Sequence, residues 1–147
     1  MKVINLGEQN SVLNQFVSEI RDVNIQKDSL RFRRNLERIG EIFAYEISKT
    51  LNYVPSEVET PLGIANIQLC NQTIVLGTIL RAGLPLHQGL LNYFDCAQNS
   101  FIAAYRKYGK DNKFTIQIEY ASSPKLEGKI LILADTMLAT GASIVLA

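Results

Sequence analysis

An aliphatic run, Ile130 to Ala134, closes on Asp135 and leads through Thr136, Met137 and Leu138 into a stretch of small and hydroxyl-bearing residues: Ala139, Thr140, Gly141, Ala142 and Ser143. A buried strand ending on a carboxylate, then a loop without bulk, then a helix, is an arrangement able to hold a phosphate. Backbone N–H groups converge on an anion only where side chains leave room. Thr140 and Ser143 add hydroxyl donors, and a helix starting near Gly141 adds its positive end. Asp135 accepts hydrogen bonds, so it suits the hydroxyls of a sugar rather than the phosphate. The plainer reading of the same residues is a strand-to-helix turn with Thr140 as N-cap. Neither GxxxxGK(S/T) nor GxGxxG occurs, so a triphosphate P-loop is excluded and a dinucleotide site is unsupported.

Two further places put cations at the ends of apolar runs. Arg81 follows Ile74 to Leu80 and precedes Ala82 and Gly83, which sets it at a strand's carboxyl end, where ligands of open α/β sheets bind. Its guanidinium suits bidentate contact with phosphate oxygens, or else it caps a surface helix. Arg106 and Lys107 end "SFIAAYRK" and read as a second cationic contact or as a solvated turn. Lys27, Arg31, Arg33, Arg34 and Arg38 form a basic run, read as an anion or subunit contact or as the solvated side of an amphipathic helix. The only histidine, His87, reads as a surface or helix-face residue, or as one near the site because it follows "RAGLP". Cys70 and Cys96 have no metal-ligand spacing and read as buried or idle thiols of a reduced cytoplasm.

These residues need elements to hold them. In "SVLNQFVSEIRD", Val12, Leu13, Phe16, Val17 and Ile20 share a helical face, with Ser11 as N-cap. Leu36, Ile39, Phe43 and Ile47 predict a long helix capped by Asp28 or Ser29. "YVPSEVETPLG" reads as a connector because Pro55, Pro61 and Gly63 punctuate it. "IANIQLCNQTIVLGTIL" reads as two strands about a turn near Asn71 and Gln72, the second apolar enough to be buried on both faces. Pro85 opens a helix through Leu91. "SFIAAYR", "FTIQIEY" and "ILILA" read as strands. The order predicts an α/β domain with a mostly parallel sheet flanked by helices, and one domain over 1–147. A net charge of +1 gives no global field for nucleic acid, so an anion must be held locally. No apolar run spans a membrane and "MKVINLGEQNSV" has no secretory core, so a cytoplasmic protein is expected.

In that order, "ILRAGLP", "AYRKY" and "LADTMLATGAS" resemble the uracil phosphoribosyltransferases, a family with the type I phosphoribosyltransferase fold. The helix "RFRRNLERIGEIFAYE" fits the family's N-terminal helical part. The resemblance implies transfer of a phosphoribosyl group from phosphoribosyl diphosphate to uracil, giving UMP and diphosphate, with Mg²⁺ carried on the diphosphate rather than in a protein cage. It implies Asp135 at the ribose hydroxyls as the catalytic carboxylate, the loop through Ser143 on the 5′-phosphate, and Arg81 and Arg106 on the diphosphate. "FTIQIEY" corresponds to a β-arm that helps subunits pair, which implies a homodimer or higher oligomer. Thr136 stands where the family usually has proline, and Ala142 where it has glycine. The chain ends about one turn into the helix after the loop, without the Gly-Asp-Ala-Gly segment that reads uracil in the family; this reads as a C-terminal truncation. Another base specificity, or a regulator that senses nucleotide and binds RNA, are the alternatives.

Overall fold

The computed structural model describes residues 3–108, 114–137, 141, 144 and 145. Two helices open the chain, α1 (Leu13–Arg21) and α2 (Ser29–Ser48). The Ser11 hydroxyl accepts the Leu13 N–H at 3.2 Å. Asp28 is the N-cap of α2, its carboxylate accepting the N–H groups of Leu30 and Arg31, both at 3.0 Å. The inward face of α1 buries Leu13 and Ile20 but not Val12, which precedes the helix and is exposed, and that of α2 buries Leu36, Ile39 and Ala44. Asn35 of α2 is fully buried and donates to the Glu19 carboxylate at 2.7 Å, which pins the two helices together.

The stretch read as a connector is a strand. β1 (Tyr53–Thr60) and β2 (Gly63–Cys70) form an antiparallel hairpin, in register from Tyr53 opposite Cys70 to Thr60 opposite Gly63. Pro55 is tolerated because β1 has only one neighbour. Pro61 and Leu62 make the turn. Gly63 takes φ +127°, a region open to glycine and costly for other residues. Nor do Asn71 and Gln72 join two paired strands. β2 pairs only with β1, whereas β3 (Ile74–Leu80) enters a separate four-stranded sheet. Burial separates them: β3 is apolar on both faces and needs cover on both, while β2 is largely exposed.

That second sheet has the order β5-β4-β3-β6, built with β4 (Gln98–Tyr108), β5 (Phe114–Ser122) and β6 (Ile130–Ala134). β3 runs parallel to β4 and β6, and β5 lies antiparallel on the outer edge of β4. Helix α3 (Leu84–Leu91) follows β3 with Pro85 in its first turn. Its Leu86 and Leu90 join Leu36, Ile39, Leu76 and Ile132 in one core. Each such side chain contributes roughly 1.5–3 kcal/mol on burial. Two glycines let α2 and α3 cross closely. A Cβ on Gly40 would lie 3.0 Å from Gly89 Cα, and one on Gly89 would overlap the Glu37 carbonyl. This crossing sets the first turns of α2 above the carboxyl end of the sheet.

His87 is buried, not at the surface. Its Nε2 meets Asn99 Oδ1 at 2.9 Å and its ring packs on Phe101 at 5.3 Å. Both cysteines are exposed free thiols, which excludes the buried alternative. Among the described residues no helix is long and apolar enough to cross a membrane.

Candidate active site

The carboxyl ends of β3 and β6 lie side by side. Thr78 is level with Ala134 across this parallel pair, so the residues that leave each strand, Arg81 and Asp135, emerge at the same edge of the sheet. Arg81 is exposed and Asp135 half-buried. Between them the chain after β3 must fold down tightly. Gly83 is buried, and a Cβ there would overlap the Thr78 hydroxyl and lie 3.0 Å from the carbonyls of Ala134 and Ile79. Its φ of −71° is ordinary, so glycine is required for space and not for conformation. The Thr136 hydroxyl donates to the Ala82 carbonyl at 2.7 Å. One hydrogen bond therefore ties the loop after Asp135 to the loop after Arg81. Proline at 136 would have no hydroxyl with which to make it.

These loops wall a crevice of about 620 Å³, within the usual range for a small-molecule site. Its lining includes Phe32 and Arg33 from α2, Arg81 and Ala82 after β3, and Thr136 and Met137 after β6. Among the described lining residues stand two guanidinium groups and no carboxylate, a balance that favours an anion. A larger groove, about 1090 Å³, runs between residues 4–7, α1 and the last turns of α2. It is larger but lies among the N-terminal helices, away from the strand ends, and its Lys49 is already paired with Glu46 at 2.7 Å. Volume alone is the weaker guide here, because chemistry at a parallel sheet sits at the strands' carboxyl ends.

Of the residues the sequence singled out, Arg81, Thr136 and Met137 line the crevice, and Asp135 adjoins it along the chain. Arg106 lies on β4 beyond the end of β3, its backbone opposite Ile116 of β5. Gly141 has φ +75°, and the Val145 N–H donates to its carbonyl at 3.0 Å, a bond of helical i to i+4 spacing. Leu138, Ala139, Thr140, Ala142 and Ser143 lie outside the described residues. Among the described residues no three His, Cys, Asp or Glu side chains converge as a metal site would need. Arg33 also lines the crevice, and nothing in the sequence sets it apart within the basic run. Arg31 pairs with Glu19 at 3.2 Å, Arg34 with Glu37 at 2.6 Å, and Arg38 donates to Asn35 at 3.0 Å.

Residues 7–147 match the family model for uracil phosphoribosyltransferase. The chain belongs to the uracil phosphoribosyltransferase family. A uracil phosphoribosyltransferase of Porphyromonas gingivalis is 56% identical over 147 residues, all of this chain and 68% of that protein. One from Methanothermobacter thermautotrophicus is 40% identical over 134 residues, 90% of this chain and 60% of that protein. A solved structure of a protein from Aquifex aeolicus superimposes with TM-score 0.81 at 28% identity, over 94% of this chain and 64% of that one. The chain thus spans about two thirds of the length of the P. gingivalis protein and less of the other two. Uracil phosphoribosyltransferases are transferases, and the mixed sheet with flanking helices found here agrees with the type I phosphoribosyltransferase fold expected from the sequence.

Proposed function

We propose that the chain transfers the phosphoribosyl group of phosphoribosyl diphosphate to uracil, giving UMP and diphosphate in pyrimidine salvage. The observation that carries this reading is that Arg81 and Thr136 line one anion-favouring crevice, with the Thr136 hydroxyl bonded to the Ala82 carbonyl beside Arg81, in a chain of this family. In the reaction the bond from the anomeric carbon to diphosphate oxygen breaks, and its electron pair leaves on diphosphate. The uracil nitrogen forms the new bond, and its proton passes to the departing diphosphate or to solvent. The sugar carbon passes through oxocarbenium character, so the protein's tasks are to hold the two reactants, neutralise the leaving group and exclude water.

Arg81 and Arg106 bear on the diphosphate, and Asp135 accepts from the ribose hydroxyls. The loop through Thr140, Gly141 and Ser143 receives the 5′-phosphate at the start of its helix. Mg²⁺ bound to the diphosphate would offset part of its charge beside Arg81 and Arg106. The protein works in the cytoplasm as a homodimer or higher oligomer. Support for pairing comes from the outer strand β5 and from the hairpin, which exposes Leu62, Ile64, Ile67 and Leu69. Light scattering that returned the monomer mass at working concentration would refute the pairing. The chemistry is tested by Asp135→Asn, which should lower kcat for UMP formation by more than tenfold while Arg81→Gln chiefly raises KM for phosphoribosyl diphosphate. Equal kinetics in both variants and the parent protein would refute the roles assigned.

A further inference from the structure

We infer that Arg33, on the second turn of α2, is a further binding residue of this site and contacts the diphosphate of the substrate. The inference rests on the reading of the crevice as the phosphoribosyl diphosphate site. Arg33 lines that crevice together with Arg81, although the two are 48 residues apart in the chain. The close crossing of α2 over α3 at Gly40 and Gly89 brings it there.

The neighbouring cations of α2 are committed elsewhere. Arg31 reaches Glu19 at 3.2 Å, and Arg38 donates to Asn35 at 3.0 Å with its guanidinium over the Phe16 ring. Glu37 stands one turn beyond Arg33 and would be its natural helical partner. It is instead engaged by Arg34 at 2.6 Å and by the Asn92 amide at 3.2 Å. Among the described residues no carboxylate lies within ion-pair distance of Arg33. Phe32 beside it and Leu36 one turn on give the crevice an apolar wall, which strengthens a charged contact made against it. A leaving diphosphate carries several negative charges, more than one arginine neutralises. A second guanidinium from another element supplies part of the remainder and fixes the diphosphate from a second direction.

The test is titration calorimetry of the full chain with inorganic diphosphate plus Mg²⁺, and separately with phosphoribosyl diphosphate plus Mg²⁺. The variants are Arg33→Gln, Arg81→Gln and, as a control of equal charge change on the same helix, Arg34→Gln. Arg33→Gln should weaken both ligands about tenfold, with the loss shrinking as salt is raised, and Arg34→Gln should stay within about twofold. Melting curves of Arg33→Gln unchanged from the parent protein would separate lost contact from lost fold. If Arg33→Gln binds diphosphate as the parent does while Arg81→Gln does not, the inference is overturned and the proposed function stands. If Arg34→Gln loses as much as Arg33→Gln, the effect is one of general charge and the inference is overturned as well. If the parent protein binds neither ligand, the reading of the crevice falls and Arg33 falls with it.

Discussion

Replacing Thr136 by valine removes one hydroxyl and keeps the shape of the side chain. The hydroxyl lies 2.7 Å from the Ala82 carbonyl and is the described link between the two loops that flank the crevice. Ala82 is exposed, so water can replace the lost donor and no buried carbonyl is stranded. The net contribution of such a bond is therefore the ordinary one, roughly 0.5–1.5 kcal/mol. If that energy holds the loops in the binding arrangement before substrate arrives, its loss appears as weaker binding, roughly two- to tenfold in Kd. Calorimetry with phosphoribosyl diphosphate and Mg²⁺ reads this directly. Thr136→Ser keeps the hydroxyl and loses the methyl, so it should bind as the parent does. Thr136→Val binding at parent affinity would refute the reasoning. So would equal losses in Thr136→Ser and Thr136→Val, because the methyl packing and not the hydrogen bond would then be responsible.

Gly83→Ala places a Cβ against the Thr78 hydroxyl and two carbonyls, so it should destabilise the fold by roughly 1–3 kcal/mol and displace Arg81; an unchanged melting temperature would contradict this. The Glu19 carboxyl is lowered from 4.5 to about 2 by hydrogen bonds from Gln15 first and then from Asn35, with Arg31 adding to them. A carboxyl whose folded value lies below its unfolded one stabilises fully above the unfolded value and loses that contribution as pH falls from about 4.5 towards 2. Melting temperature should therefore drop on acidification through that window, less steeply in Glu19→Gln; equal slopes would count against the pinning role. Burial pushes His87 below the usual imidazole value, opposed by Asn99, so the ring is neutral in the fold and its stabilisation fades only as pH falls below about 6.5. Because it is the only histidine, one NMR titration decides the matter: a midpoint at or above 6.5 contradicts the burial. The Cys96 thiol is raised by its hydrogen bond with the Asp95 carboxylate and by that group's charge, so Asp95→Asn should speed its alkylation; no change would argue against the pairing.

Helical periodicity was enough to find α1 and α2 and to narrow the cap of α2 to Asp28 or Ser29, of which Asp28 is the one used. β3 and β6 were legible as short runs, β3 apolar but for Thr78 and β6 wholly apolar, and with them the places where Arg81 and Asp135 leave the sheet. The hairpin was hidden by its own punctuation. Pro55 and Pro61 look like loop residues, yet a strand with only one neighbour can carry proline, and Pro61 serves as half of a two-residue turn. His87 gave no sign of burial, since a histidine in a leucine-rich helix is buried or not according to what packs on it, here Asn99 and Phe101 from β4. Arg33 was indistinguishable from its neighbours for the same reason. Its position depends on a helix crossing set by two glycines 49 residues apart, which no local pattern reports. The hydroxyl tie from Thr136 was likewise invisible, because its acceptor is a backbone carbonyl 54 residues earlier.

The most direct test of the central claim is UMP formation by the purified protein from uracil, phosphoribosyl diphosphate and Mg²⁺, followed by chromatography of the products. UMP and diphosphate are expected in equal amounts, with no nucleotide from other bases supplied in place of uracil, and with much less product from Arg81→Ala at limiting phosphoribosyl diphosphate. Absence of UMP at saturating substrate, or a nucleotide formed equally well by Arg81→Ala, would contradict the claim.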